Sequence, residues 1–233
     1  MGLIRVWVRM PALILWTAFT WGCRMILWPM PWVSERFDRR WRSWWLRLWG
    51  RGTYRIMGID LKVTGTPPRP PCYLVSNHLS YLDVIILCEQ TGYGLVARGD
   101  MQHWPVFGWI CKSLYVLFVD RKNKKDAARV NKQIAHTLAI GDGIVVFAES
   151  RISPGRTVAP FKSALIQPAL ECGHAVHYVT LSYACKATSP TASQVVGWWR
   201  PEPLFFHMCR LMRQPGVHAT VEYGDTPIAG TDR

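Results

Sequence analysis

A histidine and an aspartate stand five positions apart in the segment SNHLSYLD, residues 76–83. Histidine is the side chain best suited to take up a proton near neutral pH, and a carboxylate behind it fixes the tautomer and stabilises the imidazolium. Five residues on an ideal helix correspond to a rotation of about 140°, so the two side chains cannot share a helical face. We therefore predict that His78 lies in a loop, that Ser80 caps the helix that follows, and that Asp83 turns back toward the histidine.

Three further segments place charged or polar side chains at the ends of apolar runs. The segments are GLVAR, LYVLFVDR and GIVVFAESR, and the side chains are Arg98, Arg121, Glu149, Ser150 and Arg151. In a doubly wound sheet, ligands bind at the carboxyl ends of the strands, and arginine forks match phosphate or carboxylate oxygens. A histidine base that converges with arginines predicts the activation of a hydroxyl group on a molecule that carries an anionic group.

Four short motifs occur in a fixed order along the chain. They are Asn77-His78-x-x-x-x-Asp83, Arg98 with Pro105 and Gly108, Phe118-Val119-Asp120-Arg121, and Phe147-Ala148-Glu149. In this order and spacing they resemble the motifs of the 1-acyl-glycerol-3-phosphate acyltransferase family, over residues 60–223. The resemblance implies transfer of a fatty acyl group from acyl-CoA or acyl carrier protein to the free hydroxyl of a lysolipid, by default 1-acyl-sn-glycerol-3-phosphate. It implies no metal and no cofactor beyond the acyl thioester co-substrate.

The same resemblance implies a role for each matched residue. His78 is the general base, and Asp83 is its orienting partner. The residues implied to bind the substrate are Arg98, Arg121, Glu149, Ser150 and Arg151.

Two positions depart from the family pattern. Ile152 stands where the third motif has an arginine, and Tyr178 stands where the fourth motif has a proline. Either Arg151, Arg156 or Lys162 takes over the phosphate contact, or the acceptor differs. Family members with irregular third motifs include acyltransferases of amino-acid-containing lipids, so a lyso-ornithine acceptor is the alternative.

The remaining nucleophile and metal motifs are missing from the sequence. There is no G-x-S-x-G segment, and the seven cysteines form no CxxC pair. This pattern disfavours a covalent acyl-enzyme and a zinc site, and it favours neutral thiols in a reducing compartment.

The elements that must position these residues alternate along the chain from residue 59. Apolar or alternating runs typical of strands are IDLKVTG, CYLVS, GIVVF and AVHYVTLSY, and helical stretches cover residues 81–89, 105–113, 123–139 and 161–171. This alternation predicts an α/β fold with a mostly parallel sheet flanked by helices. The predicted division is an N-terminal membrane-associating helical element, residues 1–57, and an α/β acyltransferase domain, residues 58–233.

The N-terminal element is rich in tryptophan and arginine. The chain has a formal charge of +13 and thirteen tryptophans, nine of which precede residue 50. Residues 10–33 are apolar enough for a spanning, re-entrant or interfacial segment, and no signal peptide fits them. The next helix begins at Ser34, ends at Gly50 or Gly58, and is interpreted as lying on anionic lipid.

These features predict a membrane-associated protein at the cytoplasmic face of the inner membrane, with an anionic membrane surface as partner and no nucleic acid. One alternative for the arginine-rich helix is a solvated helix packed on the main domain. A rival for the whole chain is a non-catalytic peripheral membrane protein.

Residues 203–212 are interpreted as core rather than as a second membrane contact. Compared with the family pattern, the chain ends slightly early after ATVEYG, and one interpretation is that a terminal helix is missing.

Overall fold

The computed structural model describes residues 1–26, 34–120, 123–149, 152, 165–171, 173–186 and 191–228. The helices are α1 (Gly2–Met25), α2 (Glu35–Met57), α3 (Tyr81–Thr91), α4 (Phe107–Ser113), α5 (Lys124–Ala139), α6 (Gln167–Glu171), α7 (Ala192–Val195) and α8 (Leu204–Met212). The strands are β1 (Ile59–Thr64), β2 (Cys72–Ser76), β3 (Gly94–Arg98), β4 (Leu117–Val119), β5 (Gly143–Phe147), β6 (Val176–Cys185) and β7 (Val217–Tyr223).

The strands form one sheet in the order β1-β7-β6-β2-β5-β3-β4. Within the described part of the chain, neighbouring strands run parallel except for the antiparallel pair β6 and β7. The prediction of a mostly parallel sheet flanked by helices is therefore confirmed. The continuous apolar runs of β2 and β5 are buried throughout because helices cover both faces of the sheet.

Alternate residues of the central strands point to two separate cores. Leu74 packs in a cluster that includes Leu82 of α3 and Met212 of α8. Its neighbour Val75 points the other way, into a cluster with Ile134 of α5. The period-two alternation of a strand produces this division, and the result is a sheet between two layers of helices.

Helix α2 begins and ends where the sequence predicts. The Ser34 side chain accepts a hydrogen bond from the N–H of Phe37, and Gly58 ends the helix with φ of +77°. A glycine at this position avoids the steric cost that a side chain would meet in the left-handed region. Of the two predicted stops, Gly58 is the one used, and Gly50 lies inside the helix.

The interpretation of the α2 arginines as lipid contacts is wrong for two of them. Arg39 and Arg42 are buried, and they form ion pairs with Asp142 at 3.0 and 2.8 Å. A third, Arg51, reaches Glu89 of α3 at 3.0 Å. A buried cation is tolerated only when it is paired, so these arginines hold α2 against the domain, as the alternative interpretation expected.

The first helix starts earlier than predicted, at Gly2 instead of residue 10. Its early arginines do not interrupt it, because they donate to carbonyl groups at and just after the last residue of α8. Arg5 reaches the Arg213 carbonyl at 3.1 Å, and Arg9 reaches that of Met212 at 3.0 Å. Near the other end of the helix, Arg24 forms a buried ion pair with Asp38 at 2.8 Å.

The outer face of α1 is apolar along its whole length. Its exposed large side chains are Leu3, Ile4, Trp7, Val8, Ile14, Leu15 and Phe19. By length and composition α1 is able to cross a membrane. Its inner face, however, packs on α2 and α8, so charged side chains point toward the protein and apolar ones away from it.

Candidate active site

The histidine of the predicted pair lies in the loop between β2 and α3, as expected. The preceding Asn77 anchors this loop to β6, because its amide donates to the Leu181 carbonyl at 2.9 Å and accepts from the Leu181 N–H at 2.8 Å. Ser80 is the N-cap of α3, and Asp83 falls in the first turn. This arrangement directs the loop toward the carboxyl edge of the parallel strands.

His78 and Asp83 form a hydrogen-bonded pair. His78 Nδ1 lies 2.9 Å from Asp83 Oδ2, and the same oxygen accepts the N–H groups of Leu79 at 2.6 Å and Ser80 at 2.8 Å. Because a carboxylate only accepts, it holds the proton on Nδ1 and leaves the Nε2 lone pair for another partner. Nε2 makes no hydrogen bond to a described residue, and the imidazole remains partly exposed.

Glu149 lies against the same loop. Its Oε1 accepts the His78 N–H at 2.9 Å, and the side chain is buried. Phe147, two residues earlier in β5, stacks on the His78 ring with the centroids 4.0 Å apart. Strand β5 therefore supports both the backbone and the ring of the histidine.

Tyr183 completes the group, and the sequence analysis missed it. Its hydroxyl donates to Asp83 Oδ1 at 2.6 Å. Removal from water, together with the charge of Asp83, raises the pKa of Tyr183 well above its usual value, so the phenol keeps the proton it donates. Tyr183 follows the Asn77 partner Leu181 by two positions on β6, so strand periodicity places both on one face of the sheet.

Comparisons with known proteins decide the family. The model of the family described as Acyltransferase matches residues 60–184. The chain belongs to this family. The prediction of an acyltransferase enzyme is thereby confirmed.

Several relatives of this acyltransferase carry informative names. A lyso-ornithine lipid O-acyltransferase of Pseudomonas aeruginosa is 28% identical over 84% of this chain and 73% of that protein. One of Brucella abortus is 26% identical over 100% of this chain and 89% of its own length. A 1-acyl-sn-glycerol-3-phosphate acyltransferase of Neisseria meningitidis is 30% identical, over 61% of this chain and 57% of that protein.

A solved structure shares the fold of the acyltransferase. The crystal structure of the 1-acyl-sn-glycerophosphate acyltransferase PlsC from Thermotoga maritima superposes with a TM-score of 0.70. The match covers 98% of this chain and 87% of that one, at 17% identity. At this identity the likeness confirms the α/β fold together with the N-terminal helices.

The predicted substrate residue Arg98 lies at the carboxyl end of β3 but outside the hydrogen-bonded group around His78. Its guanidinium makes two bonds to the Asp100 carboxylate, at 2.6 and 2.7 Å, and its side chain is 64% exposed. Strand β5 separates β3 from β2, so Arg98 faces the same edge of the sheet at a distance of two strand spacings. Its contact with substrate stays a prediction.

The other predicted substrate residues of the acyltransferase divide into two groups. Glu149 is beside His78, but the carboxylate oxygen described above is bound to the histidine N–H, so a substrate contact stays a prediction for it too. Those that lie outside the described residues are Arg121, Ser150 and Arg151, as well as the substitutes Arg156 and Lys162.

Three buried or half-buried thiols of the acyltransferase are poor nucleophiles. Burial raises the pKa values of Cys72, Cys88 and Cys111 to about 12, so these groups are neutral at physiological pH. Among the described residues, no group of three or more histidine, cysteine or acidic side chains is arranged to hold a metal ion.

Proposed function

We propose that this acyltransferase moves a fatty acyl group from acyl-CoA or acyl carrier protein to the free hydroxyl of a lysolipid, with His78 as general base. The observation that carries the proposal is the 2.9 Å hydrogen bond from His78 Nδ1 to Asp83 Oδ2 in a loop at the carboxyl edge of the sheet. It makes Nε2 the atom that takes the proton. This assignment needs no covalent acyl-enzyme.

The reaction follows from that geometry. The hydroxyl proton passes to His78 Nε2 as the hydroxyl oxygen attacks the thioester carbonyl carbon, and the carbonyl electron pair moves onto its oxygen. When this oxyanion collapses, the carbon–sulfur bond breaks and the thiolate takes the proton from Nε2. The products are an ester and a thiol, and His78 is neutral again. Between the two steps Asp83 stabilises the imidazolium.

The oxyanion requires N–H donors that are not already occupied. The N–H of His78 is bound to Glu149, and those of Leu79 and Ser80 are bound to Asp83. These three amides therefore hold the base in place and leave oxyanion stabilisation to other groups at the same edge.

We propose lyso-ornithine lipid as the acceptor ahead of 1-acyl-sn-glycerol-3-phosphate, the default from the motifs. The Pseudomonas and Brucella relatives with the first name align over 84% and 100% of this chain, whereas the Neisseria relative aligns over 61%. In addition, Arg98, predicted to bind the acceptor's phosphate or head group, is bound to Asp100. The phosphate acceptor is the second candidate because the Neisseria relative has the higher identity, 30%.

We place α1 along the membrane interface at the cytoplasmic face of the inner membrane. Its apolar outer side chains and inward arginines support an interfacial position, since a helix packed on the domain along one face cannot be surrounded by lipid. The described cysteines are free thiols, which is consistent with a reducing compartment.

The test compares purified wild type with His78→Ala on both lysolipids, with acyl-CoA and acyl carrier protein as donors. We expect His78→Ala to lower kcat by roughly 10²- to 10⁴-fold, the usual contribution of a general base. The control is His174→Ala, which changes a histidine in the segment before β6, at the opposite edge of the sheet. If wild type forms no more ester than His78→Ala with any donor and acceptor, His78 is not the general base of lysolipid acylation and the proposed function fails.

A further inference from the structure

The first turn of α8 exposes two phenylalanines. Phe205 is 60% exposed and Phe206 is 65% exposed, with ring centroids 6.0 Å apart. The rest of the helix is anchored in the protein, because His207, Leu211 and Met212 are buried. The interpretation of residues 203–212 as core is thus right for these three residues and wrong for the aromatic pair.

Helix α8 links the active-site loop to α1. Before its start, the Trp198 N–H donates to the Leu79 carbonyl at 3.2 Å, and His207 Nδ1 lies 3.2 Å from the Tyr81 hydroxyl. At the end of α8, Arg5 of α1 donates to the Arg213 carbonyl, and Arg9 donates to those of Met212 and Gln214. The phenylalanines are therefore held on a rigid connection between the His78 loop and the apolar helix α1.

The segment just before α8 is typical of a membrane interface. Trp199 is 41% exposed, and the Arg200 guanidinium lies 4.9 Å from its ring centroid. The nearby acid, Glu202, is bound to Arg210 at 2.6 Å. Exposed aromatic rings with a cation beside them match the head-group region of a bilayer, where the rings enter the apolar boundary and the cation meets anionic lipid.

We propose that Phe205 and Phe206 form a second membrane contact, which inserts into the lipid interface and places the opening of the His78 site on the bilayer. The inference rests on the proposed lysolipid function, because an acceptor anchored in the membrane must bring its hydroxyl to His78 without leaving the lipid. Helix α8 packs on α1, whose outer face is apolar, and this favours a bilayer over a protein partner as the occupant. A single interfacial helix, α1, leaves the domain free to rotate about the helix axis. A second contact at the two rings restricts that rotation and so fixes the tilt of the domain.

The experiment uses the full-length double variant Phe205→Ser/Phe206→Ser. Its binding to phosphatidylcholine–phosphatidylglycerol vesicles is measured by co-sedimentation. Its kcat/KM is measured on a long-chain lysolipid in vesicles and on a short-chain lysolipid dissolved as monomers. We expect vesicle binding and vesicle kcat/KM to fall about tenfold or more, because two buried rings lose their apolar contact. The kcat/KM on the soluble acceptor should remain within about twofold of wild type, since the substitutions leave the catalytic pair intact.

Two control variants separate insertion from other causes. Ile228→Ser changes an exposed apolar side chain beside Val176, at the opposite edge of the sheet, and should change neither quantity. Phe205→Leu/Phe206→Leu keeps an apolar surface and should retain most of the vesicle binding.

Three results would overturn the proposal. They are unchanged vesicle binding, an equal loss of activity on both acceptors, and a change in oligomeric state on size-exclusion chromatography that accounts for the loss. If wild type transfers no acyl group to any acceptor but the double variant still loses vesicle binding, the proposed function fails and the membrane contact stands.

Discussion

At the scale of single residues, the geometry of the His78–Asp83 pair depends on how fully the Asp83 carboxylate is bound. Oδ2 accepts His78 Nδ1 and two backbone N–H groups, and Oδ1 accepts the Tyr183 hydroxyl at 2.6 Å. A buried carboxylate is stabilised by such bonds, and here they also fix its orientation. Tyr183 is therefore a positioning residue that acts through Asp83.

We expect Tyr183→Phe to lower kcat about tenfold and to leave KM within about twofold of wild type. The lost bond is to a charged group, which contributes about 1.5–3 kcal/mol, and about 1.4 kcal/mol corresponds to a factor of ten in rate. The measurement is steady-state kinetics on the preferred lysolipid. Tyr178→Phe, on the exposed side of the same strand, is the matched control and should be neutral. A rise in KM with unchanged kcat would instead place Tyr183 in substrate binding.

At the scale of elements, α1 and α2 use the same residue types in opposite ways. On α1 the apolar side chains face outward and the arginines bind the protein. On α2, Leu46 and Met57 enter the main core while Arg42 pairs with Asp142 beneath the surface. Removing residues 1–57 would therefore open the core, so the membrane role of α1 is better tested by substitutions on its exposed face.

We expect Ile14→Lys/Leu15→Lys to reduce binding to anionic vesicles by at least tenfold while the protein stays folded. Each lysine would have to enter the apolar boundary, and these side chains are 60% and 70% exposed, so few packing contacts are lost. Co-sedimentation measures the binding, and near-ultraviolet circular dichroism checks the fold. Val63→Lys/Ile228→Lys adds the same charge at exposed apolar sites away from α1 and should keep or strengthen binding. Equal vesicle binding of both variants would exclude α1 from the interface.

At the scale of the whole molecule, the N-terminal helices and the α/β domain form one packed unit. Arg42, with no exposed surface, pairs with Asp142 just before β5, and it lies over the Tyr115 ring that precedes β4. Leu46 of α2 shares a core cluster with Leu74 of β2. Unfolding of α2 therefore cannot be separated from unfolding of the sheet that carries the His78 loop.

We expect Asp142→Ala to lower the free energy of unfolding by about 3–5 kcal/mol, because it leaves a buried arginine without its counter-charge. Urea unfolding in detergent micelles, followed by tryptophan fluorescence, measures the change. Asp100→Ala removes the partner of the exposed Arg98 and should cost no more than about 1 kcal/mol. If Asp142→Ala lowers the free energy of unfolding as little as Asp100→Ala does, Arg42 finds another partner or reaches water.

The order of elements and the position of the His78 loop were predictable because they depend on neighbours in sequence. Apolar runs identified the buried strands, Ser34 marked the start of α2, Gly58 was one of its two predicted stops, and helix geometry alone placed His78 before α3. These features arise from backbone hydrogen bonding and side-chain periodicity within a few residues.

The sequence by itself thus determined the placement of His78 and Asp83 and the α/β framework, whereas tertiary structure decided what each charged or aromatic side chain contacts. Tyr183 reaches Asp83 across 100 positions, and Arg42 reaches Asp142 across the same separation. Such partners depend on strand order and helix packing, which no local pattern encodes. For the same reason an arginine beside a tryptophan looks alike in sequence whether it meets lipid or a buried carboxylate, and only the packed chain distinguishes the two.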